Sequence, residues 1–243
     1  MLKIIITGPE SCGKTTLARQ LSAHFQTPLV EEYARIFFEE KQTPQYNAAD
    51  LLKIAMGQSA AEKQAERTLL AQFPSKKASN SPNLILCDTD LLTIKIWSEE
   101  KYGRCDPWII ERISDFRSHC ETRSNQISSN QSAKSSNVKR QTSNTPFQTS
   151  SFKLQTLNTP LQTSNFKGET IYLLCSPESI AWEADPLREN ARDRDRLFAI
   201  YEKNLTFHKK NCMILRGGID ARFEEARRLI DKVTRLLDRQ MMQ

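Results

Sequence analysis

A chain of 243 residues with 38% hydrophobic content is long enough to bury the core of a full α/β domain, which excludes a disordered tail or a disulfide-stapled miniature. The formal net charge is +6, yet the stretch from Thr122 to Gly168 holds six basic residues and no acid, so the remainder sums to about zero and no nucleic-acid-binding face is expected. Six cysteines without C-x-x-C or zinc spacing, a first strand that starts at once with no stretch for a signal peptide, and no apolar run near the ~20 residues of a membrane span together predict a soluble cytoplasmic protein.

Leu2–Thr7 is apolar and β-branched and predicts a buried parallel strand. The next residues are Gly8, Pro9, Glu10, Ser11, Cys12, Gly13, Lys14 and Thr15, and after Thr16 the residues Leu17, Leu21 and Phe25 recur at helical spacing. Strand, G-x-x-x-x-G-K-[ST], then helix is the phosphate-binding P-loop in the context that confirms it. The glycines let the backbone from Gly8 to Thr16 turn its N–H groups around a phosphate, and the helix N-terminus adds positive potential there. Lys14 can reach the β- and γ-phosphates and the Thr15 hydroxyl can ligate Mg²⁺, so a nucleoside triphosphate with magnesium is the expected ligand.

Pro28-Leu29-Val30 predicts a second strand, whose C-terminal end carries Glu32 and Arg35 toward the phosphate end of an open parallel sheet. A helix is predicted from Ala48 to about Gln72, with Asp50 near its start and Gln58 within it. Its polarity fits either a layer over the substrate side of the site or a solvated surface helix. Asn83 to Asp88 is an apolar strand ending in Asp, the Walker B pattern, and assigns Asp88 to Mg²⁺. Asp90 stands two residues on, where it can face the same crevice. Helices follow at Leu91–Glu100, carrying Thr93 and Trp97, and at Asp106–His119, with Trp108, Ile109 and Ile113 inward. Both tryptophans read as core before they read as ligand platforms.

Residues 121–168 are rich in Ser, Asn, Gln and Thr and lack an apolar period, which predicts a disordered insertion. Residues 141–154 and 155–168 agree at ten of fourteen positions, a tandem duplication too short to build a solenoid. Thr170–Cys175 then predicts a fourth strand. The segment beyond it places Arg188, Arg192, Arg194 and Arg196 within nine residues, at the chain position of a phosphotransferase lid. Guanidinium forks suit phosphate oxygens, while alternation with acids fits a salt-bridged helix start instead. Leu197, Ile200, Tyr201 and Leu205 form a helical stripe, Cys212–Leu215 a fifth strand, Gly217-Gly218 a turn, and Phe223, Ala226, Ile230, Val233 and Leu237 the inner face of a closing helix.

In this order, the P-loop, Glu32-Tyr33-Ala34-Arg35, Ile54-Ala55-Met56-Gly57-Gln58, Cys87-Asp88-Thr89-Asp90 with Thr93 and Trp97, and Trp182-x-x-Asp185-x-x-Arg188 resemble the ribosylnicotinamide kinase domain of the NadR-type P-loop proteins, a group often described as AAA-type ATP-binding proteins. The resemblance spans the chain outside the insertion. It implies a P-loop kinase fold and transfer of the ATP γ-phosphate to the 5′-hydroxyl of nicotinamide riboside, giving NMN in NAD salvage. Larger members add a DNA-binding helix-turn-helix and an adenylyltransferase domain, for which there is no room here. Members can also place an aromatic residue directly before the Glu-Tyr pair, where this chain has Glu31.

The expected fold is a single α/β domain, a P-loop NTPase (kinase-like) three-layer sandwich with a five-stranded parallel sheet, spanning 1–243 with the insertion at about 121–168. In-line transfer would rest on positioning and charge compensation. Lys14, Arg188, Arg192 and Arg194 would offset phosphate charge, Glu32 or Asp90 would take the acceptor proton, and Arg35 and Asp50 would contact the substrate. A kinase for another nucleoside or small metabolite, and an NTP-binding switch without a product, share the same phosphate end.

Overall fold

The computed structural model describes residues 1–72, 83–114, 170–184 and 192–241. Alternation along β1 (Leu2–Thr7) decides the layering, because successive side chains of a strand point to opposite faces. Leu2, Ile4 and Ile6 pack with Leu17, Leu21 and Phe25 of α1 (Lys14–Phe25) and with Ala226, Ile230 and Val233 of α7 (Ile219–Met241). Ile5 joins the opposite core, built on α2 (Tyr33–Lys41), α3 (Ala48–Gln72), α4 (Leu91–Tyr102), α5 (Pro107–Ser114) and α6 (Arg194–Phe207). The one charged residue of β1, Lys3, falls on this second face, where Glu62 and Glu66 of α3 meet its ammonium at 3.1 and 2.5 Å.

The other strands are β2 (Leu29–Val30), β3 (Leu84–Asp88), β4 (Thr170–Cys175) and β5 (Asn211–Leu215). All pairs are parallel, in the order β2-β3-β1-β4-β5. The sheet and its two helical layers are thus the predicted α/β sandwich. With β1 in the middle and its neighbours β3 and β4 reached by crossovers to either side, the crevice at the strand C-termini opens beyond Thr7, where the P-loop begins. Among the described residues, no helix is long and apolar enough to cross a membrane.

Three local expectations are revised. The first helix begins at Lys14, inside the motif, rather than at Thr16. Tyr33–Lys41, read as chain leading to the site, is a helix; only Ala34 and Phe38 are buried on it, and two apolar residues four apart are too short a stripe to show a period. The helix expected over 106–119 is described as Pro107–Ser114, and the rest of that span, the insertion expected at 121–168 with its repeat, and residues 76–82, whose sequence predicts a polar loop, lie outside the described residues.

Asp50 stands in the first turn of α3. The Asn47 side-chain oxygen accepts the Asp50 N–H at 3.1 Å and Asp50 Oδ2 accepts the Asn47 N–H at 3.2 Å, a reciprocal capping box that starts α3. Lys41 donates to the same carboxylate at 2.6 Å. Its oxygens are therefore engaged in the fold, and it does not line the cavity described below. Asp50→Asn should lower stability by about 1–2 kcal/mol in urea unfolding without changing nucleotide affinity. Hydrogen bonding from Lys41 holds this carboxyl below its ordinary 3.8, so the stabilisation is complete above that value and is lost as pH falls through the lower, folded value.

Candidate functional site

The P-loop backbone takes conformations that its glycines make accessible. Gly8 has φ 138°, and a methyl there would lie 2.6 Å from the Cys175 carbonyl of β4. Gly13, at φ 80°, is the N-cap of α1, with no side chain capping the helix. The first-turn N–H groups are thus left for a ligand, and an anion is what that end of a helix attracts. The loop after β4 and the first residue of α6 brace the turn from outside. Ser11 Oγ accepts the Glu183 N–H at 2.8 Å, and Arg194 Nη1 donates to the Ser11 and Ile180 carbonyls at 3.1 and 2.9 Å.

Residues Gly8 to Thr16 line a cavity of about 210 Å³ together with Glu32, Arg35, Thr93, Trp97 and Tyr201. Lys14 Nζ donates to the Pro9 carbonyl at 2.7 Å, folded back over its own loop. Burial alone would pull the Lys14 pKa down, but the Cys12 and Tyr201 side chains, and after them the Glu32 and Asp88 carboxylates, hold it above its ordinary value. The lysine is a fixed cation at the mouth of the turn.

Parallel register carries Asp88 to that point, since Ile6 pairs with Asp88 one residue before β1 ends. Thr15 Oγ1 donates to Asp88 Oδ2 at 2.6 Å, while Oδ1 is buried with no hydrogen-bond partner among the described residues. Burial pushes the Asp88 carboxyl up from its ordinary value, against the pull of Lys14 and the Thr15 hydroxyl. A buried oxygen without a donor, beside a hydroxyl, is a pair of hard oxygen ligands suited to Mg²⁺. Among the described residues, no three His, Cys, Asp or Glu side chains converge as a metal cage.

Glu32, the N-cap of α2, makes no capping hydrogen bond with its side chain; it lines the cavity and meets Arg35 Nε at 3.5 Å. Its position is set from behind by two α3 residues that the sequence singled out without a role. Gln58, 1% exposed, accepts the Tyr33 N–H on Oε1 at 2.9 Å and reaches toward the Thr89 carbonyl at 3.5 Å through Nε2. Gly57 gives room to the Tyr33 ring, which a methyl at that position would overlap. So α3 is neither a cover over the site nor a free surface helix; it supports the site from beneath. Thr89 itself has φ 72°, a strained conformation for a β-branched residue, with its N–H held by the Ile6 carbonyl at 2.9 Å.

Asp90 is not brought to the cavity. Its Oδ1 accepts the Leu92 and Thr93 N–H groups as the N-cap of α4, and Oδ2 accepts the Tyr172 hydroxyl at 2.6 Å. Burial pushes its carboxyl up, opposed by the Tyr172 hydrogen bond. Of the expected lid arginines, Arg194 braces the P-loop rather than lining the cavity, Arg192 is exposed and does not line it, and Arg188 lies outside the described residues. Trp97 packs on Tyr46 and Phe38 as expected of a core residue and also lines the cavity; Trp108 does not. Glu31 points outward to Arg19, 3.1 Å away on the exposed side of α1. Tyr201, read only as part of an apolar stripe, brings a phenol to the cavity wall, where burial raises its pKa.

Residues 3–122 match the protein-family model described as an AAA domain. No curated protein matches the chain. Among solved structures, two of NadR protein are similar: one in complex with NR (TM-score 0.55, 15% identity, 96% of this chain and 50% of that one) and one in complex with NAD and AMP-PNP (TM-score 0.53, 15% identity, 96% and 50%). The chain spans about half the length of these NadR chains.

Proposed function

On a chain with the fold of the NadR-like P-loop kinases, we propose that the cavity binds magnesium ATP and passes its terminal phosphoryl group to the hydroxyl of a riboside, nicotinamide riboside first among them. The observation that carries this reading is the joining of two half-sites in one cavity: a P-loop with Lys14 and the Thr15–Asp88 oxygen pair, and a wall with the Glu32 carboxylate, which meets Arg35 at 3.5 Å. A binding switch has no use for the second half. The likeness to NadR in complex with NR supports the choice of acceptor, and residues 3–122 supply both halves.

The P-loop N–H groups and Lys14 hold the β- and γ-phosphates and offset the charge that spreads over the transferring group. Thr15 and Asp88 would hold Mg²⁺, which supplies charge neutralisation on the phosphate oxygens. Glu32 accepts the proton of the acceptor hydroxyl as its oxygen bonds to phosphorus and the bond from phosphorus to the β,γ-bridging oxygen breaks, leaving ADP. Arg35, held by Glu32, orients that carboxylate and the acceptor beside it.

Labelled ATP offered with a panel of nucleosides and small alcohols tests the reading. Nicotinamide riboside should be the preferred acceptor; hydrolysis with no labelled acceptor would instead mark a switch. Preference for another nucleoside is the second reading, favoured by the outward course of Glu31, which leaves no aromatic residue at that point of the wall. Gly57→Ala should cost about 1–3 kcal/mol and lower turnover by about tenfold or more, because the added methyl must displace Tyr33 and with it Glu32. Chemical denaturation and steady-state kinetics read the two effects separately.

A further inference from the structure

Arg222, in the first turn of α7, is fully buried, and among the described residues each of its hydrogen bonds goes to a backbone carbonyl. Nε donates to Gly217, Nη1 to Cys12, and Nη2 to both Ser176 and Glu178, all at 2.7 Å. Three chain segments meet on this one guanidinium: the P-loop, the loop after β4 and the loop after β5. Among the described residues, no ion pair involves it. A guanidinium stays charged inside a protein, and burying a charge without an opposite one is costly even when its hydrogen bonds are satisfied. Neutral donors could clamp three loops; a permanent cation beneath an anion cradle calls for a further reason.

The geometry of the peptide supplies it. The Cys12–Gly13 bond is trans, so its carbonyl and N–H point in opposite directions. With the Cys12 carbonyl held by Arg222 from behind, the Gly13 N–H is turned to the other side, toward the cavity that Cys12, Gly13 and Lys14 line. A peptide next to a glycine at positive φ flips easily when nothing holds it. A charged donor on its carbonyl both prevents the flip and polarises the peptide, making the N–H a stronger donor.

We propose that Arg222 is a positioning residue of the triphosphate cradle: it fixes and polarises the Cys12–Gly13 peptide from behind, and its charge is balanced when an anion occupies the opposite side. This rests on the reading that the cavity takes a nucleoside triphosphate. Its reach is narrower than that reading, because it concerns the phosphate end and not the base or the acceptor.

The test compares wild type, Arg222→Met and Arg222→Lys for binding of magnesium ATP and inorganic triphosphate by calorimetry, and of adenosine by ligand-observed NMR, with circular dichroism to verify folding. Arg222→Met should bind ATP and triphosphate about ten- to a hundredfold more weakly and adenosine within about twofold of wild type. Arg222→Lys, which keeps the charge but loses the fork, should recover part of that loss. A scaffold role alone would weaken adenosine and triphosphate alike, and that result overturns the proposal, as does wild-type triphosphate affinity in Arg222→Met. If the methionine variant does not fold, the lysine variant decides: triphosphate binding about three- to tenfold weaker supports the proposal, and unchanged binding overturns it. Wild-type protein that binds neither ATP nor triphosphate overturns the nucleotide reading and this one with it, whereas normal ATP binding with insensitive variants overturns only the role of Arg222.

Discussion

Lys14→Ala is expected to lower phosphoryl transfer by about a thousandfold or more, with the fold intact and magnesium ATP bound about tenfold more weakly. An ammonium has three donors; the Pro9 carbonyl and the Cys12 sulfur engage two of those of Lys14, at 2.7 and 3.9 Å, leaving the third for a phosphate oxygen. Its charge also faces the Asp88 and Glu32 carboxylates, so its loss weakens the magnesium pair and the acceptor side at once. The fold should survive because Lys14 packs on its own loop and its backbone starts α1 without help from its side chain. Single-turnover transfer from labelled ATP measures the chemical step, and a thermal melt verifies the fold. Transfer within tenfold of wild type would remove Lys14 from the mechanism.

Glu32→Gln should lower turnover by about a hundred- to ten-thousandfold while the KM for ATP stays within about twofold, the pattern of a lost general base. The amide keeps the shape and the cavity position but cannot take the hydroxyl proton. Asp90→Ala is the informative contrast. It removes the N-cap of α4 and leaves the buried Tyr172 hydroxyl without its acceptor, so it should cost about 2–4 kcal/mol of stability. Turnover per folded molecule should then stay within about tenfold, since this carboxylate does not reach the cavity. Denaturant titration beside steady-state kinetics separates the two variants, and an inverted outcome would reassign the base to Asp90.

Sequence alone determined what depends on neighbours in the chain. The P-loop is eight consecutive residues whose chemistry is mostly backbone, so its role follows from glycine positions, one lysine and one hydroxyl, with a strand before and a helix after. The sheet was legible because strands buried on both faces are unbroken apolar runs. Asp88 followed because a strand ending in a carboxylate must end beside the P-loop if it pairs in parallel with β1. Tertiary structure decided the side chains whose partners are far along the chain. Asp90 and Asp88 are the same residue type two positions apart, yet Tyr172, 82 residues on, engages one and leaves the other an open oxygen. Arg194 fits a lid by local pattern until the Ser11 carbonyl, 183 residues away, claims it. Arg222 sits on an amphipathic helix with no local mark of function, and only the packing of α7 under the P-loop brings its guanidinium to Cys12, 210 residues earlier. Burial assigns such roles: a charge or carboxylate shut off from water must take whichever partners the layers bring to it, and local pattern does not encode which those are.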